Sequence, residues 1–394
     1  MKPSDIKTAQ FIDTYFPLVD GVVNTVHNYA TLLNSDAYTC VVTPKGMKDH
    51  DDKPLPYDVF RTTTIKASIS EYSLPAPKLD RRLRYFLTVK KIDLFHAHSP
   101  FTEGGFAQSF SKKLGVPCVA TFHSKYYDDV LHMTHSKALA RVVTDHIVRF
   151  YEKCDSVWSC SESTADTLRS YGYKGDIFVM DNGSSMSCPD NADELKERVA
   201  TQYQIPSDKK IILFVGHQIW HKNLKLVLDT MKLLSECSDD YRLLIIGDGY
   251  DGEKIKKYAD SLSFPDGAVR FVGKIMDKEI IMGFYLNAGL LFFPSVYDNS
   301  PLVVREAASL GVPSLLVEGS NASEAVRKDI TGYTAAENKV AMYREIVKIF
   351  SNEEKRKAVS IAARQEIPKT WEQIVSMVQE KYAEILEKYR FDHS

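Results

Sequence analysis

The stretch AGLLFFPSVYDNSPLVVREAASLG, residues 288–311, decides the fold. Its apolar run 288–294 predicts a buried strand of a parallel sheet. The polar loop 295–300 follows at the carboxyl end of that strand, and Pro301 stands at the favoured first position of a helix. A strand, a loop and a helix in this order predict one βα unit of a doubly wound sheet.

The start of this helix predicts an anion site. Unpaired backbone amides and the positive end of the helix dipole could hold a phosphate at Asn299–Leu302. Asp298 precedes the helix and Glu306 lies on its second turn, eight positions later, so both carboxylates could face one cleft. Such a pair, with a phosphate site between its members, suits a sugar nucleotide. A capped helix with an incidental Glu306 is the alternative that this stretch leaves open.

Composition narrows the class of protein. A chain of 394 residues is too long for one ordinary core, so we expect two α/β domains. The formal net charge of -2 provides no global excess of cations, and we predict no nucleic-acid partner. The 6 cysteines form no C-x-x-C pair, which favours free thiols. Because the sequence shows neither a signal core nor a run of about 18 apolar residues, we predict a cytoplasmic protein.

Strands and helices alternate in two series along the chain. The first series includes strand 92–95, helix 102–114 and strand 117–122, and the second begins with strand 211–215. This alternation predicts two Rossmann-like, doubly wound domains that face each other across a cleft. Ligands of such sheets bind beyond the carboxyl ends of the strands.

The domain boundaries follow from polar segments. The charged segment 190–210 predicts a linker, which assigns residues 1–195 to an N-terminal domain and 205–370 to a C-terminal domain. Segment 66–77, rich in Ser and Pro, predicts a loop. The last helix, 371–389, carries apolar residues at helical spacing, so it packs against another element.

Three histidines mark the strand ends of the first series. The polar turns 96–101 and 123–129 carry His96, His98 and His123. A neutral imidazole can donate or accept a hydrogen bond, which suits contact with sugar hydroxyls. Acidic residues and further histidines nearby leave a metal site open as an alternative, although their spacing matches no familiar ligand motif.

A basic helix is predicted at residues 78–91, KLDRRLRYFLTVKK. It mixes six cations with apolar side chains, which is compatible with a peripheral position on the inner face of the cell membrane. The alternative is a solvated helix face that covers the core. In the N-terminal loop TYFPLVDG, Gly21 predicts a tight turn that a diphosphate could approach closely.

Two motifs of the second series suggest contacts with a nucleotide. FVGHQIWHKN places His217 and Lys222 around a turn, where Lys222 could reach a diphosphate. Gly247–Gly252, GDGYDG, matches the dinucleotide fingerprint G-x-G-x-x-G between a strand and a helix. A dinucleotide site also needs an acidic residue near the end of the next strand, and only Asp260 and Asp266 are candidates. A tight turn is therefore the favoured interpretation.

In order and spacing these motifs resemble the retaining glycosyltransferases of family 4, which have the GT-B fold. The resemblance covers nearly the whole chain, from FPLVDGVVNTVHNYA through DLFHAHSPFTEGGFA, VMDNGSS and IIGDGYDGEKI to the E-x7-E counterpart between Asp298 and Glu306. It implies an acceptor-side N-terminal domain, a C-terminal domain that binds a nucleotide sugar, and a last helix that crosses back onto the N-terminal domain.

The resemblance also implies a role for individual residues. His123 and Asp298 match the catalytic positions near the transferred sugar. The positions that match the family's donor-binding residues are Gly21, Gly216, His217, Lys222, Gly247, Lys274, Ile275, Asn299, Ser300, Pro301, Leu302 and Glu306.

The chain departs from the family pattern at the diphosphate and at the sugar. The family's Arg is His217 here, its Lys-Gly pair is Lys222-Asn223, and the first Glu of E-x7-E is Asp298. One fixed positive charge is therefore missing, and the carboxylate at 298 is one methylene shorter.

The predicted activity is metal-independent transfer of a hexose, with retention, from a nucleotide diphosphate sugar, most simply a UDP sugar. The acceptor is a lipid, a glycan or a small molecule, the cell envelope is a plausible setting, and no cofactor is expected. The alternatives are a sugar-nucleotide-converting enzyme such as an epimerase, an NAD-dependent oxidoreductase that uses GDGYDG, and a binding-only relative.

Overall fold

The computed structural model describes residues 2–45, 52–66 and 73–393. The chain forms two compact units. The N-terminal unit comprises the described residues up to Gly183 together with those from Trp371 onward, and the C-terminal unit comprises Ser184–Thr370.

The N-terminal unit contains one seven-stranded parallel sheet in the order β3-β2-β1-β6-β7-β8-β9. Its strands are β1 (Thr8–Phe11), β2 (Thr39–Pro44), β3 (Asp58–Thr62), β6 (Leu94–Ala97), β7 (Cys118–Phe122), β8 (Ser156–Ser159) and β9 (Phe178–Val179), and a separate antiparallel pair joins β4 (Thr64–Lys66) to β5 (Ser73–Pro75). Its helices are α1 (Gly21–Asp36), α2 (Arg81–Lys90), α3 (Thr102–Leu114), α4 (Tyr126–Thr134), α5 (Lys137–Tyr151), α6 (Glu162–Ser170) and α14 (Trp371–Asp392).

The C-terminal unit contains a six-stranded parallel sheet in the order β12-β11-β10-β13-β14-β15. Its strands are β10 (Lys210–Val215), β11 (Tyr241–Ile246), β12 (Val269–Gly273), β13 (Leu290–Phe292), β14 (Ser314–Val317) and β15 (Tyr333–Ala335). Its helices are α7 (Ala192–Gln202), α8 (Leu224–Cys237), α9 (Gly252–Ser261), α10 (Lys278–Asn287), α11 (Leu302–Ser309), α12 (Lys339–Ser351) and α13 (Glu353–Glu366).

Apolar strands build the core of the C-terminal unit. The β10 side chains from Ile211 to Phe214 are buried, as are those of β13. Strands that are covered by helices on both faces read as continuous apolar runs, which explains why the sequence places them well. The predicted pair of Rossmann-like sheets is confirmed.

The predicted linker 190–210 is wrong, because α7 occupies most of it and belongs to the C-terminal unit. Only Leu195 and Val199 are buried on this helix, so its sequence looks like a polar connection. A β-carbon at Gly283 of α10 would lie 2.3 Å from Val199 Cγ2, which shows how closely the two helices pack. The units therefore divide after Gly183 and not near residue 195.

Three further local predictions need correction. His96 lies inside β6 and not in a turn, because its imidazole is paired in the interior. The predicted polar turn 123–129 runs into α4, whose first turn carries Asp128 and Asp129. The predicted loop 66–77 includes the last residue of β4, all of β5 and the start of a 3-10 helix at Pro77, and residues 67–72 lie outside the described residues.

Helix α14 contributes to the interior of the N-terminal unit. It packs along α1, with the rings of Trp371 and Tyr29 6.0 Å apart. Trp371 is 3% exposed, and a β-carbon at Gly183 would lie 2.6 Å from its ring. Tyr382 is fully buried against Trp158, with ring centroids 5.5 Å apart. The last helix thus supplies large core side chains to a sheet made by the first half of the chain.

Candidate functional site

The carboxyl ends of β10, β11 and β13 carry three neighbouring loops in the C-terminal unit. β10 pairs with both β11 and β13, so the loops that leave these strands start from the same edge of the sheet. Gly216 and Gly247 begin the loops after β10 and β11, with φ angles of 154° and 128°. A β-carbon at Gly247 would lie 2.0 Å from Gly216 O, so this close approach requires a glycine.

Lys222 and Asp298 form an ion pair at this edge. Lys222 Nζ lies 2.7 Å from Asp298 Oδ1, and the two side chains are only 14% and 19% exposed. The second oxygen of Asp298 accepts a hydrogen bond of 2.6 Å from Ser295 Oγ. Because both oxygens are engaged, the shorter Asp side chain is held firmly beside the lysine. The structure brings together two residues that are 76 positions apart in the sequence.

Asn223 replaces a family glycine without strain on the turn. Its φ of 61° and ψ of 32° are left-handed, and among residues with a side chain Asn tolerates this region best. Its amide Nδ2 donates to Pro294 O at 3.2 Å and to Glu337 Oε1 at 2.8 Å. These bonds fasten the Lys222 loop to the end of β13.

Helix α11 begins one residue later than predicted. Pro301 has an extended ψ of 126° and occupies the cap position, so the first helical residue is Leu302. Asn299 is buried, and its Oδ1 accepts from Asn321 Nδ2 at 2.9 Å. Ser300 Oγ accepts from Arg305 Nη1 at 3.0 Å, which places a buried guanidinium beside the helix start.

Glu306 is partly buried on α11 and hydrogen-bonded at one oxygen. The hydroxyl of the fully buried Tyr285 donates to Glu306 Oε2 at 3.3 Å. Burial raises the pKa of Glu306 to about 7, although the hydrogen bond from Tyr285 opposes that rise. Near neutral pH this carboxyl group is therefore present both as a carboxylate, which accepts hydrogen bonds from hydroxyls, and as a protonated acid, which can donate one.

The glycines of GDGYDG pack against the chain itself. A β-carbon at Gly249 would lie 2.5 Å from Gln218 O, and one at Gly252 would lie 3.0 Å from Gln218 Oε1. Gln218 is 3% exposed, and its Nε2 donates to Gly247 O at 2.7 Å. Close packing with the loop after β10 therefore accounts for the pattern, as the tight-turn interpretation requires.

The remaining predicted positions of the C-terminal unit are more peripheral. His217 is exposed. Lys274 follows β12, and its Nζ lies 3.9 Å from Asp248 Oδ2 in an exposed pair. Ile275 is partly buried against the core. Neither His217 nor Lys274 belongs to the Lys222–Asp298 ion pair.

In the N-terminal unit, Gly21 is the first residue of α1, and Asp20 caps the helix by accepting from Val23 N at 2.8 Å. The expected tight turn at Gly21 is wrong, since its φ is not positive. A β-carbon at Gly21 would meet no atom within 4 Å, so the residue provides open space at the helix start.

His123 and His98 directly follow β7 and β6, and they form a row with His96, which lies inside β6. The His96 and His98 rings stack 4.2 Å apart, and those of His98 and His123 stack 5.4 Å apart. Burial lowers the pKa of all three, that of His123 to about 4, so they are neutral imidazoles. Across the described ranges, no three His, Cys, Asp or Glu side chains are grouped so that they could hold a metal ion.

Comparison with known families identifies both halves of the chain. The family described as Glycosyl transferases group 1 matches residues 196–366, and Glycosyltransferase Family 4 matches residues 19–185. The chain belongs to the group 1 glycosyltransferases. The predicted glycosyltransferase family is confirmed, whereas retention of configuration stays a prediction. The two matches cover the loops of Lys222, Asp298 and Glu306 as well as the histidine row.

The relatives of this glycosyltransferase have low sequence identity to it, but the matches extend over most of the chain. It is 23% identical over 318 residues to the alpha-monoglucosyldiacylglycerol synthase of Streptococcus pneumoniae, covering 77% of this chain and 69% of that protein. It is also 23% identical to the GDP-mannose-dependent alpha-mannosyltransferase of Corynebacterium glutamicum, covering 97% of this chain and 89% of the relative.

A solved structure shows the same fold. The structure of HepE from Anabaena, in complex with UDP and glucose, is similar to this glycosyltransferase with a TM-score of 0.74 at 16% identity, covering 96% of this chain and 99% of that one. The predicted GT-B fold is confirmed. Among the described residues, no helix is both long and apolar enough to cross a bilayer.

Sequence reasoning missed four residues that contact the candidate site residues: Gln218, Tyr285, Ser295 and Arg305. Gln218 directly follows His217 in the motif, but nothing in the sequence indicates that its amide is buried. Ser295 precedes Asp298 by three positions, a spacing typical of a side chain that caps a turn. Nothing in the sequence indicates that the Tyr285 hydroxyl reaches Glu306.

Proposed function

We propose that this glycosyltransferase moves a hexose from a UDP sugar to a lipid, glycan or small-molecule acceptor with retention of the anomeric configuration. One observation carries the proposal: Lys222 and Asp298 are paired beside the glycine turns of β10 and β11, in the same unit as Glu306. Cation, carboxylate and glycine backbone at the strand ends are the groups needed to hold a sugar diphosphate.

Lys222 would neutralise the leaving diphosphate. Its ammonium group is partly desolvated and lies 5.2 Å from the centre of the Phe293 ring, so it attracts an anion more strongly than an exposed lysine would. This fixed charge would stabilise the transition state electrostatically without a divalent metal. The start of α11 would supply backbone amides, Gly216 would let the diphosphate approach the loop after β10 closely, and the exposed His217 could contact the diphosphate as well.

Asp298 would hold the sugar rather than attack it. Its two oxygens are bound to Lys222 and Ser295, and a carboxylate that is engaged at both oxygens is a poor nucleophile. Retention would then follow from attack by the acceptor on the face from which the diphosphate leaves. In such a reaction the anomeric carbon forms its bond to the acceptor oxygen as its bond to the diphosphate breaks, and the acceptor proton passes to the departing phosphate oxygen.

Glu306 would bind the ribose. A carboxylate can accept from two neighbouring hydroxyls, and donor binding would favour the ionised form of a group whose pKa is about 7. His123 would orient the sugar and the acceptor. Lys274 and Ile275 would meet the base through their backbone, as the family resemblance implies.

A lipid acceptor is supported by chemistry and by a relative. The synthase of Streptococcus pneumoniae is named for a glucosylated diacylglycerol. In this chain α2 presents Tyr85, 73% exposed, and Val89, 56% exposed, among its cations, and Leu79 just before it is 69% exposed. Exposed apolar side chains next to Arg and Lys are suited to the surface of an anionic membrane.

A thermal-shift titration with UDP, GDP, ADP and NAD, with and without magnesium, tests the donor. A ligand at about 100 times its dissociation constant adds roughly 2.7 kcal/mol of stability. We expect stabilisation by UDP without magnesium in the wild type and in the control Glu236→Ala, and its loss in Glu306→Ala. Glu236 pairs with Lys232 at an exposed position near the end of α8, away from the loops of the site, which makes it a matched control.

The other outcomes of this titration are informative. Stabilisation by GDP alone would keep the transferase and change the base. Stabilisation by NAD alone would overturn the proposal and favour an oxidoreductase.

Two activity measurements complete the test. If a UDP sugar is consumed without any acceptor to give another nucleotide sugar, the chain is a converting enzyme. NMR of the anomeric proton of a transfer product would decide between retention and inversion.

A further inference from the structure

The ion pair between Lys222 and Asp298 occupies the cation that a sugar diphosphate would need. Lys222 Nζ lies 2.7 Å from Asp298 Oδ1, and both side chains are largely shielded from water. An ammonium group only donates and a carboxylate only accepts, so the direction of this contact is fixed. Lys222 therefore already has an anionic partner within its own chain.

The carbon stem of Lys222 lies beside the glycine turn after β10. A β-carbon at Gly216 would lie 3.5 Å from Lys222 Cδ, and the ammonium group lies 5.2 Å from the centre of the Phe293 ring. Gly216 and Phe293 directly follow the neighbouring strands β10 and β13. The stem is therefore held at the edge of the sheet where a diphosphate is expected, and only the ammonium end has to move to change its partner.

Ser295 holds the carboxylate of Asp298 through two hydrogen bonds. Its hydroxyl donates to Asp298 Oδ2 at 2.6 Å, and its oxygen accepts from the backbone N–H of Asp298 at 3.3 Å. Because Ser295 is fully buried, water does not compete for these bonds. The Oδ2 atom therefore stays in place while the partner of Oδ1 changes.

A diphosphate cannot share the ammonium group with Asp298 without strong repulsion. Two acceptors that each lie about 2.8 Å from one ammonium nitrogen are only about 5 Å apart. At that separation two anions repel each other, and the repulsion is weakly screened because the side chains of Lys222 and Asp298 are only 14% and 19% exposed. Binding of the diphosphate therefore requires Lys222 to leave Asp298.

A nucleotide sugar can replace the partner that Asp298 loses, whereas a free nucleotide cannot. Once Lys222 has left, a sugar hydroxyl can donate to Asp298 Oδ1. UDP carries no sugar, so its binding would leave this oxygen without a donor. A largely buried carboxylate that loses its counter-charge is strongly destabilising. The ion pair thus opposes the binding of UDP more than the binding of a UDP sugar.

We propose that Asp298 competes with the diphosphate for Lys222 and thereby makes the site select the nucleotide sugar against the free nucleotide. This inference rests on the proposed function. Lys222 passes to the diphosphate as the hexose donates to Asp298, and after transfer of the hexose Asp298 recovers Lys222, which favours release of the UDP product. Selectivity is a difference between two affinities, and this one carboxylate changes both.

Calorimetric titration of Asp298→Asn with UDP and with UDP-glucose, both without acceptor, tests the competition. The amide keeps the shape of the side chain and an oxygen that can accept from Ser295, but it carries no charge. We expect UDP to bind about tenfold more tightly than to the wild type, and UDP-glucose to gain less or to lose affinity. Asp229→Asn is the matched control and should leave both affinities unchanged, because Asp229 pairs with Lys225 at the same 2.7 Å and is 18% exposed.

A double-mutant cycle with Lys222→Met separates competition for the lysine from simple charge repulsion. If Asp298 acts through Lys222, Asp298→Asn should tighten UDP binding far less in the Lys222→Met background than in the wild-type background. An equal effect in both backgrounds would overturn the proposal, and so would UDP binding that is unchanged or weaker in Asp298→Asn. A wild type that binds neither UDP nor UDP-glucose would instead refute the proposed function.

A crystal structure of the wild type with UDP covers the case that a variant does not fold. We expect Lys222 Nζ to contact the diphosphate and to lie beyond hydrogen-bond distance from Asp298 Oδ1, while Asp298 Oδ2 keeps its bond to Ser295. An ion pair that remains at 2.7 Å beside bound UDP would overturn the proposal and leave the proposed function intact.

Discussion

The two units place their polar groups in different parts of the same kind of sheet. In the C-terminal unit the central strands β10 and β13 bury apolar side chains, and the charged groups Lys222 and Asp298 lie in loops beyond them. In the N-terminal unit, fully buried polar residues such as Gln10 and His96 lie within the strands themselves and are neutral. A charged ligand group suits the first arrangement, and neutral hydroxyls suit the second.

This difference affects how each unit is stabilised. An apolar interior depends on packing, which many side chains share. A buried polar interior depends on each partner, because a donor or acceptor that loses its hydrogen bond costs about 1 to 3 kcal/mol. One of those partners, Tyr382, comes from α14 at the end of the chain. The N-terminal unit should therefore be more sensitive to loss of its last helix than a purely apolar sheet would be.

The largest effect is expected from Trp371→Ala at the start of α14. The substitution removes a 3% exposed ring that packs on Tyr29 and Gly183, which should cost about 3 to 5 kcal/mol. Hydrogen exchange resolved by peptide should show the loss in β1 and β6 and little change in β10 and β11. Phe391→Ala, at an 82% exposed position on the same helix, is the control and should be nearly neutral. Equal loss of protection in both units would contradict the division.

Lys222→Met tests the charged arrangement and should lower kcat/KM by roughly 100-fold, about 2.7 kcal/mol, because the diphosphate loses its fixed cation. The substitution should change the melting temperature of the nucleotide-free protein only slightly, and it should weaken the binding of UDP more strongly. Lys225→Met removes a lysine three positions later that is 60% exposed and paired with Asp229, and it should leave transfer intact. If Lys225→Met impaired transfer as much as Lys222→Met, a general loss of charge would explain the result.

Sequence reasoning succeeds where the fold follows from apolar runs and fails where polar groups are buried. The runs at 211–215 and 241–246 predict β10 and β11 to within one residue, because nearly all the side chains of strands covered on both faces are apolar. The sequence predicts a turn at His96 because a polar residue that follows an apolar run usually marks the end of a buried strand. Its burial depends on two hydroxyl partners that are distant in the sequence, Thr121 and Tyr382, the second of them 286 positions away.

The candidate site was predictable to the same extent. Motif order places Lys222 and Asp298 at strand ends, but the ion pair requires that β10 and β13 be neighbours, and strand order is not written in the spacing. The helix 192–202 was missed because only two of its side chains are buried. Long-range pairing and marginal burial are therefore what the sequence leaves undetermined.

The pH dependence of stability should reveal the buried carboxyl group of Glu306. Its pKa rises from 4.5 to about 7 on folding, so the folded state holds the proton more tightly than the unfolded state. Its contribution is fully present below pH 4.5 and is lost as the pH rises through 7. Relative to Glu306→Gln, the wild type should lose on the order of 2 kcal/mol across this range. A difference between the two proteins that does not change with pH would contradict the assigned burial.

The smallest effect, and the most direct test of the comparison, is expected from Tyr382→Phe. The variant keeps the buried ring but leaves His96 Nδ1 without its hydrogen-bond partner, which should cost about 1 kcal/mol in the N-terminal unit. Tyr333→Phe is the counterpart in the C-terminal unit, since the ring of Tyr333 is buried in the apolar core and its hydroxyl makes no hydrogen bond within the described chain. Tyr333→Phe should leave the free energy of unfolding, measured by chemical denaturation, nearly unchanged. Equal costs would mean that packing alone stabilises both interiors, whereas a cost only at Tyr382 would show that the N-terminal sheet depends on hydrogen bonds between neutral groups.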